Sequence, residues 1–587
     1  MNPDRLSATT DGYMSEHNNG NSVLRSEEWF GPKDLEGFLH RSGLKAMGYG
    51  ENEFKGKPVI GIANSWSELT HCNSHLRELA QHVKRGVAAA GGFALEFPTI
   101  SLGEFFLAPT SMLLRNLMSM DVEEMIRAAP LDGVVLLAGC DKTTPAMMMG
   151  ALSADVPAIV VTGGPQLKGN WRGQDLGSCT DCRRYWTELR AGRITQEEYD
   201  EMEAAIYRSP GYCMVMGTAS SMGGIAETIG MSLPGGGSIP GADSRRKTHS
   251  EQAGRAIVEL VNKGITPSDV VTPESIDNAI RFLLAVGGST NAIIHLIAIA
   301  GRVGIDLPLS HFDDLSKTTP MILNLKPSGE YLMEDLFYAG GVEAILARIS
   351  PLLNLDALTV TGKTLGENIA DATVTNDRVI RTIENPLFSE GGIVALTGSL
   401  APDGAVIKHT AASPELLTHT GRAVVFEDYH DLEARIDSDD LDVTVDDVLV
   451  LKNTGPIGGP GMPESGMLPL PKKLLQQGHR DMVRISDARM SGTSFGTVVL
   501  HVTPESAVGG PLSLVENGDL ISLDTPNGRL DLLVDEAELE RRRAAWKAPE
   551  PQYSRGYGAM YSEHVLQADG GCDFDFLRGK TPVKLRV

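Results

Sequence analysis

The sequence predicts an α/β protein with an open N-terminal α/β sheet domain, helices on both of its faces, and a C-terminal β-barrel-like domain. Two observations predict this division. Between residues 58 and 164, short apolar runs alternate with segments of helical spacing, and Gly, Pro or Asn marks each change of period. From about residue 391, the chain instead carries short β-rich runs separated by Gly, Pro and Asp turns.

The N-terminal elements repeat a strand–helix–strand unit. The predicted strands are 58–63, 94–97, 133–138 and 157–162, and the predicted helices are 75–90, one that opens at Pro109 and one that Pro145 initiates. In open α/β sheets, ligands bind outside the carboxyl ends of the strands. Residues capable of chemistry fall at those ends: Cys72, Glu104, Cys140, Asp141 and the Gly163-Gly164 pair.

The C-terminal part reads as a closed or nearly closed β structure. Its predicted strands are 393–396, 423–426, 448–451, 482–485, 497–501, 520–523 and 530–534, with no long helix before 536–546. We therefore expect three parts: an N-terminal arm at 1–24, an α/β domain at 25–388 and a β-barrel-like domain at 389–587.

Composition excludes several classes of partner. The 587 residues contain 52 Lys+Arg and 76 Asp+Glu, a formal charge of −24, so nucleic acid is a poor ligand. No apolar run approaches the ~20 residues that span a bilayer, and the polar start lacks the pattern of a secretory signal. We expect a cytoplasmic protein without membrane contact that acts on a small molecule. Six cysteines are too sparse for a disulfide framework, which makes metal binding or catalysis the alternative.

Three cysteines stand in loops marked by Gly or Asn: Cys72, Cys140 and Cys213. They could be small buried hydrophobic residues, ligands of an iron–sulfur cluster that leaves one iron open, or zinc ligands completed by water. Cys179 and Cys182 form a CxxC motif, but no second CxxC completes a four-cysteine site and two arginines follow directly. For this motif we expect a surface or substrate-loop role.

Carboxylates near Cys140 suggest a second kind of metal. Glu104, Asp141 and Glu464 are candidate Mg²⁺ ligands, because Mg²⁺ prefers oxygen donors. Asp141 and Lys142 directly follow Cys140, so a thiol, a carboxylate and an amine share one turn and need partners if they are buried. Residues 455–464, rich in Gly and Pro, form a shaped loop that ends at Glu464.

Residues 486–496 (SDARMSGTSFG) follow a predicted strand and supply hydroxyls, backbone amides and Arg489. Such a segment can cradle a carboxylate or phosphate, so we expect Arg489, Gly492 and Thr493 to bind substrate. Ser491 could be a nucleophile or a base. A Ser-His-Asp hydrolase competes with this reading, but no G-x-S-x-G elbow is present in this segment. Residues 287–291 (GGSTN) lack the lysine of a P-loop.

Several of these motifs occur together in one known family. Cys72-Asn73 and residues 139–145, 216–220, 287–292, 461–464 and 486–492 together resemble the dihydroxy-acid dehydratase and sugar-acid dehydratase family, in its order, over about residues 25–580. Within that family the chain looks most like the pentonate branch, particularly L-arabinonate dehydratases, through residues 481–501 and 421–428.

The resemblance implies a hydro-lyase that converts a sugar acid such as L-arabinonate to the 2-keto-3-deoxy acid. It implies a homodimer or homotetramer with active sites near the subunit interface. It also implies a role for each matching residue: Cys72, Cys140 and Cys213 on an iron–sulfur cluster of the 2Fe-2S type; Glu104, Asp141, Glu464 and a carboxylated Lys142 on Mg²⁺; and Ser491 as the base.

Three other readings remain open. Residues 101–109 (SLGEFFLAP) are more apolar than expected for an L-arabinonate enzyme, because Phe105, Phe106 and Leu107 follow Glu104. An apolar pocket would suit 2,3-dihydroxyisovalerate, the substrate of the branched-chain biosynthetic dehydratase. An iron–sulfur sensor without catalysis and a zinc hydrolase are the alternatives from other classes.

Overall fold

The computed structural model describes residues 24–579, so the predicted arm, apart from Leu24, lies outside the described residues. Helices α1–α21 span Glu27–Phe30, Leu35–Ala46, Glu51–Phe54, Leu76–Ala89, Arg115–Ala128, Thr143–Ala154, Ser178–Arg190, Gln196–Ile206, Thr218–Thr228, Ser244–Lys263, Pro267–Val270, Pro273–Ala285, Asn291–Arg302, Leu309–Ser316, Met333–Ala339, Gly341–Arg348, Leu365–Ile369, Tyr429–Arg435, Lys472–Gln476, Glu536–Ala545 and Gly556–His564. Strands β1–β14 span Val59–Asn64, Phe93–Pro98, Gly133–Ala138, Ala158–Thr162, Gly169–Trp171, Gln174–Leu176, Val394–Leu396, Gly404–Ile407, Thr418–Phe426, Val448–Leu451, Arg484–Ser486, Val498–Thr503, Leu520–Asp524 and Arg529–Leu532.

The N-terminal sheet has four parallel strands in the order β2-β1-β3-β4. Strands β1, β3 and β4 are buried along their whole length, as expected when helices cover both faces of a parallel sheet. From β1, the connection through α4 leads to β2 at one edge of the sheet. The connections through α5 to β3 and through α6 to β4 lead toward the opposite edge. Right-handed crossovers therefore put α4 on one face and α5 and α6 on the other, which confirms the predicted fold class.

Helix α10 packs against α4 at a very close approach. A Cβ atom added at Gly86 would overlap the carbonyl oxygen of Glu251, and one at Gly254 would overlap that of Val83. The glycine pair lets the two backbones touch, so the helices form one layer over the sheet.

The C-terminal sheet has eight strands in the order β14-β13-β9-β10-β11-β12-β8-β7. Strands β9 to β12 are parallel and the other pairs are antiparallel. Its two edges meet at one bridge, where Thr397 donates to Gly528 and accepts from Leu530. The sheet is thus nearly closed, as predicted. The seven predicted runs are all strands, and sequence analysis missed β8, a four-residue strand.

Strand β12 joins the two halves of the molecule. Its first residues alternate between two cores: Val498 and Leu500 pack with the N-terminal sheet and its helices, whereas Val499 packs inside the barrel. After Leu500 the register shifts, and Val502 also packs inside the barrel. The loop before β12, which carries Ser491, is therefore held between the sheet domain and the barrel.

The end of the described chain is tied to the N-terminal domain by buried charges. The Arg115 guanidinium donates to the carbonyl oxygens of Gly571 and Cys572, at 2.8 Å each. Arg302 pairs with Asp573 at 2.6 Å, and both side chains are fully buried. These bonds join residues that are hundreds of positions apart in sequence. Among the described helices, none is long and apolar enough to cross a membrane.

A buried histidine of α10 predicts a dependence of stability on pH. Burial, with the nearby Arg246 charge, lowers the pKa of His249 from 6.5 to about 4. Below pH 6.5 the unfolded chain binds a proton there that the folded chain does not, so stability is lost as pH falls through 6.5. When the pH is lowered from 7 to 5, we expect protonation of His249 in the unfolded chain to decrease the free energy of unfolding by about 2 kcal/mol.

The measurement is urea unfolding of the wild type and a His249→Gln variant at both pH values. The variant should lose less stability on acidification. His430→Gln, at an exposed side chain, is the control and should behave as the wild type. Equal losses in the wild type and His249→Gln would contradict the prediction.

Candidate active site

The predicted cysteines lie in loops at the carboxyl end of the N-terminal sheet. Cys72 follows β1 and Cys140 follows β3 after one glycine. The Asn73 side chain donates to the Ser65 carbonyl at 3.0 Å and to the Ser101 hydroxyl at 2.9 Å, which fixes the Cys72 loop. A Cβ atom at Gly139 would overlap the Asn73 side chain and lie 2.6 Å from the Cys72 carbonyl oxygen. The two loops therefore touch because residue 139 is glycine.

Cys213 is brought to the same edge by the turn after β4. Tyr212 donates its backbone N–H to Gly164 and accepts one from Gln166, at 3.0 and 2.8 Å. Gly164 and Gly211 have φ values of 78° and 121°, which glycine adopts without strain. The structure thus brings together the three cysteines that the sequence separates by long distances.

The thiols interact with one another. Contact with Cys140, then burial, raises the pKa of Cys72 well above its usual value. Contact with Cys179, then burial, does the same for Cys213. All are free thiols. Buried thiols this close together have few favourable partners. A thiophilic metal group would stabilise them by binding their thiolate forms.

The CxxC motif lies close to the Cys213 loop. Cys179 and Cys182 are partly buried in the first turns of α7, and Cys179 contacts both Cys182 and Cys213. The expected surface or substrate-loop role overlooked this proximity, because nothing in the local sequence indicates that α7 folds back onto the Cys213 loop.

The Gly139 contact gives a testable prediction. Gly139→Ala should push the Cys72 and Cys140 loops apart and lower the free energy of unfolding by about 1–3 kcal/mol, the usual cost of overpacking. Gly43→Ala, on helix α2 with no atom near the added methyl group, is the matched control and should be as stable as the wild type or about 0.5–1 kcal/mol more stable, because alanine favours a helix over glycine. Urea unfolding measures both. An unchanged Gly139→Ala protein would show that the loops have room to move.

A second cluster surrounds Lys142, whose side chain is fully buried. Its Nζ lies 3.1 Å from Glu104 Oε2, 3.3 Å from Glu464 Oε1 and 3.5 Å from Asp141 Oδ2. The structure therefore brings together all four predicted Mg²⁺ ligands, although Glu464 comes from the other end of the chain.

The charges of this cluster are strongly perturbed. Burial opposes ionisation of Glu104, but the Lys142 and Arg489 charges, with hydrogen bonds from Ser111 and Thr110, outweigh it and lower the pKa of Glu104 to about 2. Burial raises the pKa of Asp141 to about 6, with Lys142 opposing and the neighbouring glutamates adding to the rise. Burial also opposes the charge on Lys142, but Glu104 and the other carboxylates raise its pKa above the usual value. The ammonium group thus holds three carboxylates that would otherwise repel each other.

The loop of residues 455–464, which ends at Glu464, is held rigidly. Glu505 accepts the backbone N–H groups of Ile457 and Gly458, at 2.9 and 2.8 Å. Gly461 has a φ of 89°, and a Cβ atom there would lie 2.6 Å from the backbone nitrogen of Leu113. The predicted shaped loop therefore delivers Glu464 from the barrel domain to the sheet domain.

Arg489 is fully buried beneath this loop. It donates to the Met462 carbonyl at 2.7 Å, to Glu464 at 3.1 Å and to Thr110 at 3.1 Å. These bonds join both domains, so Arg489 at least positions Glu464. Its contact with substrate, like those of Gly492 and Thr493, stays a prediction.

Ser491 lies in the loop between the domains and is 8% exposed. Its Oγ is 2.8 Å from the Thr493 hydroxyl and accepts the Thr493 N–H at 3.4 Å. The Thr493 carbonyl accepts from Thr180 at 2.7 Å, and a Cβ atom at Gly492 would lie 2.6 Å from Ser289 Oγ. In the described part of the chain no histidine bonds to Ser491, which argues against a Ser-His-Asp hydrolase.

Sequence analysis missed several polar neighbours of these residues. Asn291 donates to Glu464 and Thr218, both at 3.1 Å, and its own Oδ1 is buried without a partner. Thr110 donates to Glu104 at 2.6 Å. The signal that could have identified Asn291 is the glycine-rich segment 287–292, which was noted as a family motif and for a weak likeness to a phosphate-binding loop but was given no role in the site.

The donors match two kinds of metal group. Crowded thiols suit iron or zinc, and the carboxylates with the orphaned Asn291 oxygen suit a hard cation such as Mg²⁺. Among residues 24–579, however, no three Cys, His, Asp or Glu side chains form a ready-made metal site. The carboxylates instead surround the Lys142 ammonium.

An open cavity of about 540 Å³ lies beside the cysteines. Its lining includes His71, Phe105 and Tyr207, whose rings lie 4.8 to 6.0 Å apart. His71 Nε2 is 3.7 Å from the Cys72 sulfur. The aromatic cavity therefore lies next to the loop that carries Cys72.

Buried carboxylates, thiols and a serine that meet between a sheet and a barrel are typical of an enzyme's active site. The chain matches the families described as dihydroxy-acid/6-phosphogluconate dehydratase N-terminal, over residues 57–368, and C-terminal, over residues 378–572. It belongs to this family. Its place there confirms the expected enzyme class, a dehydratase and hence a hydro-lyase.

Individual relatives agree with the sequence resemblance. The chain is 53% identical to an L-arabinonate dehydratase of Rhizobium leguminosarum bv. trifolii, over 95% of this chain and 96% of that protein. It is 49% identical to a 6-deoxy-6-sulfo-D-gluconate dehydratase of Pseudomonas putida, over 96% and 98%. A dihydroxy-acid dehydratase of Caldanaerobacter subterraneus is more distant, at 41% over 92% and 98%.

Proposed function

We propose that this enzyme dehydrates an aldonate such as L-arabinonate to the 2-keto-3-deoxy acid. The observation that carries the proposal is the convergence of three elements on one interdomain site: the thiol loops, the Lys142 carboxylate cluster and the Ser491 loop. Cys140 directly precedes Asp141 and Lys142, and Arg489 from the segment that carries Ser491 bonds to Glu464, so the three elements are joined. The higher identity to sugar-acid dehydratases than to the dihydroxy-acid dehydratase supports the substrate class.

Two cofactors fit the donors present. Cys72, Cys140 and Cys213 would hold an iron–sulfur cluster of the 2Fe-2S type, and Glu104, Asp141 and Glu464 would hold Mg²⁺. Lys142 would join them after carboxylation, which replaces its positive charge by a negative carbamate and so removes the cation that now occupies the cluster. When bound, the two groups supply Lewis acidity at the carboxylate and hydroxyl oxygens of the substrate.

The protein side of the reaction rests on Ser491. In the proposed step its Oγ removes the proton from C2 of the substrate, the hydroxyl group leaves C3, and the enol product tautomerises to the 2-keto-3-deoxy acid. One water is lost and no net redox change occurs. A serine hydroxyl is a weak acid, so nearby positive charge must favour its ionised form. Thr493 fixes the Oγ in place through two hydrogen bonds.

The alternative substrate is 2,3-dihydroxyisovalerate. Phe105 lines the cavity beside the cysteines and is 45% exposed, and the neighbouring Phe106 is 71% exposed. Such an apolar rim favours a branched-chain acid over a polyol. This observation makes the dihydroxy acid the second candidate.

One panel distinguishes the two candidates. Anaerobically purified protein, supplied with Mg²⁺, is assayed for 2-keto acid formation from L-arabinonate, other aldonates and 2,3-dihydroxyisovalerate. We expect the highest kcat/KM for an aldonate. A preference for 2,3-dihydroxyisovalerate would identify the enzyme as a dihydroxy-acid dehydratase instead. A colourless zinc protein with full hydrolytic activity would overturn the proposal.

We also propose a cytoplasmic homodimer or homotetramer. Large apolar side chains are exposed, including Leu69 at 70% and the cavity-lining Phe106 at 71%, and burial in a subunit interface would remove them from water. Light scattering with size-exclusion chromatography tests this, and a monomer at micromolar concentration would contradict it.

A further inference from the structure

The aromatic cavity of about 540 Å³ adjoins the proposed reaction centre on two sides. His71, which lines the cavity, directly precedes Cys72, and its Nε2 lies 3.7 Å from the Cys72 sulfur. Phe105, which also lines the cavity, directly follows Glu104. The rings of His71 and Phe105 are 4.8 Å apart and meet edge to face. The cavity therefore lies beside both the thiol loops and the carboxylate cluster.

Gln166 connects the cavity to the third cysteine loop. Its backbone N–H donates to the carbonyl of Tyr212 at 2.8 Å, and Tyr212 directly precedes Cys213. Gln166 is fully buried, whereas Phe106, another residue of the lining, is 71% exposed. Gln166 thus lies at the inner end of the cavity and Phe106 at its mouth.

The side-chain amide of Gln166 has an unused acceptor. Its Nε2 donates to the carbonyl of Ser209 at 3.0 Å, and this bond fixes the orientation of the amide because a carbonyl oxygen cannot donate. Its Oε1 is buried and accepts no hydrogen bond from any residue between 24 and 579. Such an acceptor is costly in a protein interior until a donor reaches it.

Two hydroxyls of the lining are acceptors as well. The side chains of Ser74 and Ser209 donate to the carbonyls of His71 and Pro210, both at 3.1 Å, so each oxygen can offer only a lone pair to a ligand. Neither lysine nor arginine lines the cavity in the described part of the chain. A carboxylate would find no cation there, whereas an alcohol supplies the O–H that these acceptors need.

We propose that this cavity binds the part of the substrate chain beyond C3, and that Gln166 Oε1 accepts a hydrogen bond from a hydroxyl group on C4 or C5. The proposal rests on the proposed dehydration of an aldonate. With C2 and C3 at the cysteine and carboxylate loops, the rest of the chain extends past His71 and Phe105 towards Gln166. Gln166 is therefore a specificity-determining residue that selects polyhydroxy acids.

The aromatic rings and the amide have different parts in this selection. The rings accept either kind of chain, because the C–H groups of a polyol pack on an aromatic face as methyl groups do. 2,3-Dihydroxyisovalerate carries methyl groups where an aldonate carries hydroxyls, and it would leave the Gln166 Oε1 unpaired. A site that bonds a substrate hydroxyl rejects an analogue that lacks it for this reason.

Gln166→Met and Gln166→Glu form a matched pair of variants. Methionine has a similar length but no side-chain oxygen. The buried carboxylic acid of Gln166→Glu, kept protonated by its surroundings, can donate to Ser209 and still keep one oxygen for the ligand. Full-length, cofactor-loaded wild type and variants are assayed for 2-keto acid formation from L-arabinonate, its 4-deoxy and 5-deoxy analogues and 2,3-dihydroxyisovalerate. Iron content and circular dichroism establish that each protein is intact.

We expect Gln166→Met to lower kcat/KM for L-arabinonate by about 10–100-fold, mainly through KM, and to leave kcat/KM for 2,3-dihydroxyisovalerate unchanged. With one of the deoxy analogues, the wild type should show the same loss and Gln166→Met no further loss. Gln166→Glu should keep the preference of the wild type. Equal losses on every substrate, or no loss in Gln166→Met, would overturn the role of Gln166 but leave the dehydratase in place. A wild type without activity on aldonates would overturn both.

Ser74→Phe tests the cavity without changing a buried residue. Ser74 is exposed and lines the cavity, so the larger side chain should occupy part of it and leave the fold intact. We expect kcat/KM to fall more for five-carbon and six-carbon aldonates than for a four-carbon aldonate of the same C2 and C3 configuration. Equal losses at all chain lengths would overturn the proposal.

Discussion

Ser491→Ala is expected to lower kcat for the preferred substrate by about 10²–10⁴-fold, the usual contribution of a positioned acid–base group. The side chain is small, and its bonds in the described structure are with Thr493 alone, so its loss should leave the fold unchanged. Because substrate binding does not need the Oγ in this proposal, KM should change much less than kcat. Steady-state kinetics of 2-keto acid formation measure both.

The control is Ser494→Ala, in the same loop. Ser494 is fully buried and its hydroxyl has no hydrogen-bond partner, so the variant should keep near-normal activity. Iron content and circular dichroism establish that both proteins are intact. A Ser491→Ala enzyme with near-normal kcat would eliminate Ser491 as the base.

Lys142→Met should both destabilise and inactivate the protein. The substitution leaves Glu104, Asp141 and Glu464 close together without the cation that pairs them. Removing one partner of a buried ion pair costs about 3–5 kcal/mol. We expect a loss of that size in the free energy of unfolding at pH 7, measured by urea unfolding in EDTA, and loss of detectable turnover in Mg²⁺.

The pH dependence of this effect has a defined sign. In the wild type the pKa of Glu104 is lowered to about 2, so its ionised form contributes stability above the unfolded pKa of about 4.3, and the contribution is lost as pH falls towards 2. Lys142→Met removes the positive charge that lowers the pKa of Glu104, and with it this contribution to stability. The variant should therefore differ most from the wild type at pH 7 and less at pH 4, where carboxylates take up protons.

Lys452→Met is the matched control. Lys452 is also buried, but its partner Glu427 is largely exposed, so water can solvate the carboxylate after the substitution. We expect a clearly smaller loss of stability and unchanged turnover. Equal losses for the two lysines would show that the carboxylate cluster has no special dependence on Lys142.

Local patterns in the sequence were sufficient for much of the fold. The apolar runs that became β1, β3 and β4 are continuous because both faces of the sheet are covered, and this makes them easy to recognise. The topological rule for open sheets also placed Cys72 and Cys140 correctly at the carboxyl edge. Strand β8 was missed because a four-residue run carries too little periodicity.

The site depends on contacts that local patterns do not contain. The meeting of Lys142 with Glu464 joins residues from the two domains, and only the family resemblance linked them beforehand. Asn291 bonds to Glu464 from a helix whose turn suggested a different chemistry. The CxxC motif was set aside because no second CxxC completes a four-cysteine site and two arginines follow it, whereas its position near the Cys213 loop results from the path of the chain between β4 and α9. Long-range packing, which a single sequence does not display, determines these contacts.

The bonds from Arg115 to the carbonyls of Gly571 and Cys572 have a consequence for synthesis of the chain. While the ribosome is still translating the barrel, α5 has emerged together with Asn116 and His295, but the two carbonyl acceptors of the Arg115 guanidinium have not. Burial of Arg115 before these carbonyls arrive would leave part of its hydrogen-bonding capacity unsatisfied, which is costly for a charged group in a protein interior. The helices behind the active site should therefore close only after release of the nascent chain, and nascent chains stalled before residue 571 should remain sensitive to proteases around α5.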